Sequence, residues 1–280
     1  MDLIPLTPVD RSDGLRADCS QCVGLCCVAL AFAHSADFAF SKEAGDPCVN
    51  LDDDDRCAIH PELRQRGFKG CTVFDCFGAG QKVTQNTFSG HSWRDHPDSR
   101  QSMFAVFPLV RQLQELLWYL DVAAGMPQTA PIRDELERAY AETEALTTAS
   151  ADDILALDLD AHRDAIAPIL RHASELVRAG VETSAEARAI DAGANLMGAH
   201  LAGTDLRGAN LRGAWLIGAD LRSADLSHAD VIGADFRDTE LGGATLDSTL
   251  FLTQFQVNAA QGDAATVLPA SLTRPSHWRR

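Results

Sequence analysis

The 280-residue chain is short of basic side chains: 24 Lys and Arg stand against 40 Asp and Glu, a formal net charge of -16 and an isoelectric point near 4.8. Duplex binding is driven by neutralising phosphates with Lys and Arg, so this balance argues against direct nucleic-acid binding. An acidic surface instead keeps a protein soluble or imitates nucleic acid. No apolar run reaches the roughly 20 residues that a membrane span needs. The first eighteen residues, broken by Pro5, Pro8, Asp10 and Asp13, hold no apolar run of signal-peptide length. These absences predict a cytoplasmic chain, where thiols stay reduced and clustered cysteines serve metals rather than disulfides. Enzyme signatures are missing too. Gly78-Ala79-Gly80-Gln81 is too short for a phosphate-binding loop, and neither a zincin motif nor a nucleophile elbow occurs.

Cysteine is also absent from everything after Cys76; all eight fall between Cys19 and Cys76. Cys19, Cys22, Cys26 and Cys27 form a C-x2-C-x3-C-C block, and Cys48, Cys57, Cys71 and Cys76 follow at wider spacing. A C-x2-C pair at a turn brings two thiolates onto one metal, with a third following four residues later. Adjacent Cys26 and Cys27 point about 100° apart on a helix and to opposite faces of a strand, so they do not easily share a site. Eight thiols suit two four-thiolate zinc sites, or one iron-sulfur cluster with a second site or a few buried cysteines. His60 could replace one thiolate, and His34, His91 and His96 have weaker claims. The acid run at 52–55 reads as a solvated loop, because four consecutive side chains rarely converge on one ion. A loop-rich segment of this size has few large apolar residues, which predicts that metal and folding are linked in it.

The segments CSQCVGLCC and CAIHPELRQRGFKGC resemble the YkgJ-like cysteine-cluster family. The resemblance covers about sixty residues and implies a zinc- or iron-chelating domain. The family's usual Tyr after the CxI segment is His60 here, and FDCFGAGQ departs from the common ending.

From about residue 98 to 180 the apolar residues recur at helical spacing. Met103, Phe107, Val110, Leu113, Leu117 and Leu120 make one stripe, with Pro108 predicted to start or kink the helix. Pro131 opens a second helix, with Ile132, Leu136 and Tyr140 on one side. Ser150 and Asp153 have capping-box spacing at the start of a third region, which Pro168 is expected to bend or split.

Residues 194–253 repeat with a period of five, in twelve units from ANLMG to TLFLT. A large residue holds the central position from Leu196 to Phe251, and Ala or Thr stands two residues earlier each time. Period five fits neither a helix nor a flat strand. One large and one small residue turned inward every five residues describes a narrow solenoid. These units resemble the pentapeptide-repeat family, which implies a right-handed quadrilateral β-helix with four repeats per coil. Twelve units then make three coils, a rod roughly 15 Å tall at about 4.8 Å per coil. The rod needs caps. Thr183 and Glu186 have capping-box spacing before the first coil, Thr253 is a candidate helix cap after the last, and Trp278 is expected to pack within the tail.

The expected architecture is therefore multi-domain: a Cys-rich metal-binding module at 1–97, an α-helical region at 98–182 and a capped pentapeptide-repeat β-helix at 183–280. The expected function is that of a metal-binding regulatory or adaptor protein whose solenoid docks an unknown protein partner. One alternative is an iron-sulfur-dependent redox or modifying enzyme. Another is a DNA mimic, since the resemblance includes proteins that bind type II topoisomerases through rows of carboxylates. Here eight acids against four arginines in the repeats leave a net charge of only about -4.

Overall fold

The computed structural model describes residues 14–278. The breaks at Pro5, Pro8, Asp10 and Asp13 lie outside the described residues. The front of the chain is built of turns and three one-turn helices, α1 (Leu25–Val28), α2 (Lys69–Thr72) and α3 (Ala79–Lys82). A π-type turn, Val83–Thr87, continues α3. Two kinds of apolar packing hold these turns. Phe32 stacks on Phe38 at 4.5 Å, with Phe40 and Phe68 against them. Leu25, Val28, Ala79, Val83 and Trp93 share a buried cluster with Met103, Val106, Phe107 and Val110 of the first long helix. The front is thus less poor in apolar support than its loops suggest, because a helix from outside it completes its core.

That helix is α4 (Arg100–Gly125), and all six residues of the expected stripe are buried on it. Pro108 lies inside α4 rather than at its start. A 3-10 turn, Pro127–Ile132, leads into α5 (Arg133–Thr147). Ser150 caps α6 (Ala151–Leu155), its hydroxyl accepting from the Asp153 N–H as the spacing predicts. The break in this third region falls before α7 (Leu159–Arg178), where Asp158 caps the new helix, and Pro168 is carried inside α7. A capping aspartate, not the proline, ends one helix and begins the next.

Beyond α8 (Ala185–Arg188) the repeats wind in a coil of twenty residues per turn. Parallel bridges join residues twenty apart, among them Asn195 with Trp215, His200 with Asp220, Asp205 with Asp225 and Asn210 with Asp230. Each is an isolated bridge at a corner-to-corner side, so the described residues form no longer strand. Backbone bonding is nonetheless continuous: the Leu216 N–H donates to Asp235 in the next coil, and the Asp235 N–H returns to Ala214. The fifth residue of most units has a positive φ, as at Gly198 (62°) and Gly218 (65°), which explains why Gly recurs there. Central residues from Leu206 to Leu246 are fully buried, whereas Leu196 and Leu201 in the first coil are only partly covered.

Three details differ from the expectations. The hydroxyl that caps α8 is that of Ser184, accepting from Ala187, rather than Thr183. Phe251 does not continue the central ladder. It has a φ of 61° and turns out to meet Tyr119 edge-on at 5.8 Å in the helical core, while Leu252 turns in. The tail then resumes the winding without the repeat, since Gln261 bridges Glu240 and Val267 bridges Thr245. Ahead of these bridges α9 (Gln254–Ala259) is held by the expected Thr253 cap, completed as a capping box by Gln256. Trp278 packs in the solenoid core, its indole N–H donating to the Ala260 carbonyl. No described helix is long and apolar enough to cross a membrane.

Candidate metal centre

The cysteine loops are brought together by backbone bonds and by three side chains near α3. Cys76 precedes this helix, and the Ala79 N–H donates to the Cys76 carbonyl. On the same stretch the Gln81 side chain donates to Arg16 and accepts from the Asp18 N–H, Thr84 accepts from Val23, and Gln85 donates to Gln21. The Trp93 indole N–H donates to Val23. The C-x2-C turn is therefore laid along α3 beside Cys76. Gly80 makes the approach possible: a Cβ there would stand 2.7 Å from the Cys22 sulfur and 4.0 Å from the Cys76 sulfur.

The remaining cysteines are placed by contacts of their own. The Cys48 N–H donates to the Cys27 carbonyl, and Leu51 bridges Cys57 in a tight antiparallel turn. Cys71 lies on α2. Cys26 and Cys27 meet, with sulfurs 3.9 Å apart. The thiols of Cys19, Cys22, Cys57, Cys71 and Cys76 all lie within electrostatic reach of Cys26.

Burial pushes the Cys22 and Cys71 thiols up to about 12 and raises Cys19, Cys57 and Cys76 as well. Cys26 is raised first by its contact with the Cys27 thiol and then by burial. Backbone dipoles oppose this trend: Cys22 faces the N–H groups of Leu25 and Gly24, Cys76 those of Gly80 and Gly78, and Cys57 that of Ile59. Such N–H groups stabilise a thiolate once a positive charge draws off its proton.

All eight cysteines carry free thiols. Among the described residues, no three of His, Cys, Asp or Glu stand at positions that would hold a metal ion. His60 opens an exposed 3-10 turn, and His91 and His96 stack on each other at 4.1 Å. The acid run forms a turn, in which Asp52 accepts from the Asp54 and Arg56 N–H groups and Asp55 pairs with Arg94 at 2.7 Å.

Sequence reasoning did not single out Gly80 for this role, nor Gln81, Thr84, Gln85 and the buried Lys42. Lys42 donates to the carbonyls of Val28, Glu43 and Asp46 and lies within electrostatic reach of Cys48 and Cys27. The glycine directly after a cysteine-helix junction was the available signal.

The front and the repeats are joined. Arg64 donates to the Asn258 carbonyl of α9, Asn258 donates to Thr72, and Lys69 pairs with Asp238 at 2.6 Å. On the repeats themselves the aspartates are engaged locally: Asp205, Asp220 and Asp235 are each paired with the arginine two residues on. Trp215 and Met197 are about half exposed on the first two coils.

Residues 194–231 and 216–251 match the family described as Pentapeptide repeats, in eight copies. Over 265 residues the chain is 51% identical to a Bacillus subtilis (strain 168) protein described as Uncharacterized protein YybG, with 95% of each chain covered. The chain therefore belongs to one family with YybG, and its residues 194–251 are pentapeptide repeats.

Proposed function

We propose that the chain is a metal-binding regulatory or adaptor protein, with a zinc or iron-sulfur centre in a front module at 1–97, a helical spacer at 98–182 and a docking solenoid at 183–280. The observation that carries this reading is the gathering of thiols around Cys26, three of them faced by backbone N–H groups. Soft thiolate donors of this kind suit zinc and iron-sulfur clusters, and the candidate ligands are Cys19, Cys22, Cys26, Cys27, Cys48, Cys57, Cys71 and Cys76. A bound zinc would supply a structural cross-link; an iron-sulfur cluster would supply an electron store. Thiols raised by desolvation, as Cys22 and Cys71 are, suit such a group because a cation compensates the cost of ionising them.

The solenoid is assigned as a right-handed quadrilateral β-helix, supported by the twenty-residue bridge spacing. Its role is to present a protein-docking face, with Trp215 and Met197 as its exposed apolar residues. A DNA-mimic role is disfavoured because three of the eight repeat acids, Asp205, Asp220 and Asp235, are paired with Arg207, Arg222 and Arg237.

Thiol labelling tests the metal reading. Protein purified anaerobically without chelator should react slowly with maleimide at most of its eight thiols, and chelator should release them. Absorption near 400 nm would assign iron-sulfur, and a colourless protein zinc. Eight thiols that label freely, with no change on adding chelator, would remove the metal centre from this account.

A further inference from the structure

We infer that the cleft between α4, α7 and the repeats is a binding site for an α-amino acid with a large apolar side chain, held as its zwitterion. The inference is independent of the front thiols and of any metal they hold.

The cleft has a volume of about 470 Å³. Small-molecule sites commonly have this size and lie where structural units meet. Each of the three elements supplies an arginine to it: Arg111 from α4, Arg163 from α7 and Arg212 from the repeats. Three cations around one cleft are notable on a chain with a net charge of -16. The same elements also supply one apolar wall residue each, Leu116, Leu170 and Ile232.

Most of the charges around the cleft are already engaged with one another. Glu115 takes Arg111 at 3.3 Å on one oxygen and the Tyr119 hydroxyl at 3.0 Å on the other. Arg111 also donates to the Asp75 carbonyl, and Arg212 is paired with the buried Asp230. Among the described residues no ion pair engages the two lining charges that remain, Arg163 and Asp164. Arg163 donates to the neutral side chain of Gln112 at 3.1 Å.

One unpaired cation and one unpaired anion on consecutive residues of a helix complement a ligand that carries both charges close together. An α-amino acid has its carboxylate and its ammonium on a single carbon atom. The guanidinium fork of Arg163 takes the carboxylate, helped by N–H groups of Arg111 and Arg212 that their own partners leave over. Asp164 accepts from the ammonium. The ligand's side chain then lies on Leu116, Leu170 and Ile232. A simple carboxylic acid leaves Asp164 facing a like charge, and a phosphate faces Glu115 as well with a larger one, so both are discriminated against. The Arg111–Glu115 and Arg212–Asp230 pairs fix the walls before the ligand arrives, which lowers the ordering cost of binding.

The test is isothermal titration calorimetry of the full chain with L-leucine, L-phenylalanine and L-tryptophan at millimolar concentration. At least one of them should bind saturably at one site per chain. The analogues of the best binder that lack its ammonium or its carboxylate, 3-phenylpropanoate and 2-phenylethylamine in the case of L-phenylalanine, should bind about tenfold or more weakly. Arg163→Gln and Asp164→Asn, both at exposed positions of α7, should weaken binding by a similar factor and leave thermal unfolding unchanged. The analogue comparison uses wild type alone, so it decides the matter even where a variant is destabilised. No saturable binding of any of the three amino acids, an analogue that binds as tightly as its amino acid, or full affinity in either variant would overturn the assignment.

Discussion

Arg212 holds the carboxylate of Asp230 at 2.8 Å on a side of the coil where the Asp230 side chain is completely shielded from solvent. Asp230 also accepts from the Ile232 N–H, so its carboxylate both ties down the backbone of its own repeat and forms one half of the ion pair. Removing the arginine would leave a buried charge with one hydrogen bond. Arg212→Ala is therefore expected to cost about 3 kcal/mol, the lower end for a broken buried pair because the arginine is 18% exposed. Arg222, whose pair with Asp220 is open to water, should tolerate the same change with no resolvable loss of stability. Denaturant unfolding of the two variants checks this, and equal losses would contradict it.

Leu221 is fully buried at the middle of the ladder. Leu221→Asp should unfold the solenoid, since a carboxylate there has no partner and burying it costs several kcal/mol. The same assay on Arg222→Ala serves as the control. An unchanged thermal transition in Leu221→Asp would mean that the inward register is wrongly assigned.

Asp205 and Asp220 are held at about 2, chiefly by side-chain hydrogen bonds from Arg207 and Arg222. Their folded value is depressed, so their contribution is fully present above the ordinary carboxylate value of 3.8 and lost as pH falls through about 2. Both groups are open to solvent, which keeps the effect small and weakens it in salt. Acid titration of stability should be less steep between pH 4 and pH 2 in Arg207→Ala/Arg222→Ala than in wild type, as read by circular dichroism.

The repeat was legible as far as Leu246 because its period and its inward positions are set by local residue type. What the five-residue pattern could not show was its end. Phe251 satisfies the pattern, yet the neighbouring Tyr119 and the helical core offer it a better site, and Leu252 takes the inward place. Thr in the small position was readable as tolerated, but not its use. The hydroxyls of Thr239 and Thr249 donate to Leu216 and Leu226 one coil earlier, so a polar group is buried with a partner. At the front, residue type pointed to thiols and left their arrangement open. The placement of the C-x2-C turn beside Cys76 depends on Gln81, Thr84 and Gln85, whose contacts reach back more than sixty residues and leave no spacing rule in the sequence.

Gly80→Ala tests whether Cys22 and Cys76 act together and leaves every cysteine in place. An alanine in a helix ordinarily adds up to about 1 kcal/mol of stability over glycine. Here its methyl would stand 2.7 Å from the Cys22 sulfur, so the expected sign is reversed. The variant should lose metal more readily to a chelator than wild type does, by about tenfold or more. Tighter retention would show that Cys22 and Cys76 do not close on a common site.

The paired aspartates of the repeats set an expectation for topoisomerases. The full chain at stoichiometric amounts should not inhibit supercoiling by DNA gyrase, because the carboxylates of Asp205, Asp220 and Asp235 are already neutralised by their arginines. Strong inhibition would restore the DNA-mimic reading.

The central claim is that the front thiols hold metal, and elemental analysis of untagged protein purified anaerobically without chelator tests it most directly. The account expects at least one zinc per chain, or about two to four irons with matching sulfide, and loss of metal in Cys22→Ser. Metal-free protein that stays folded with all eight thiols titratable would contradict it.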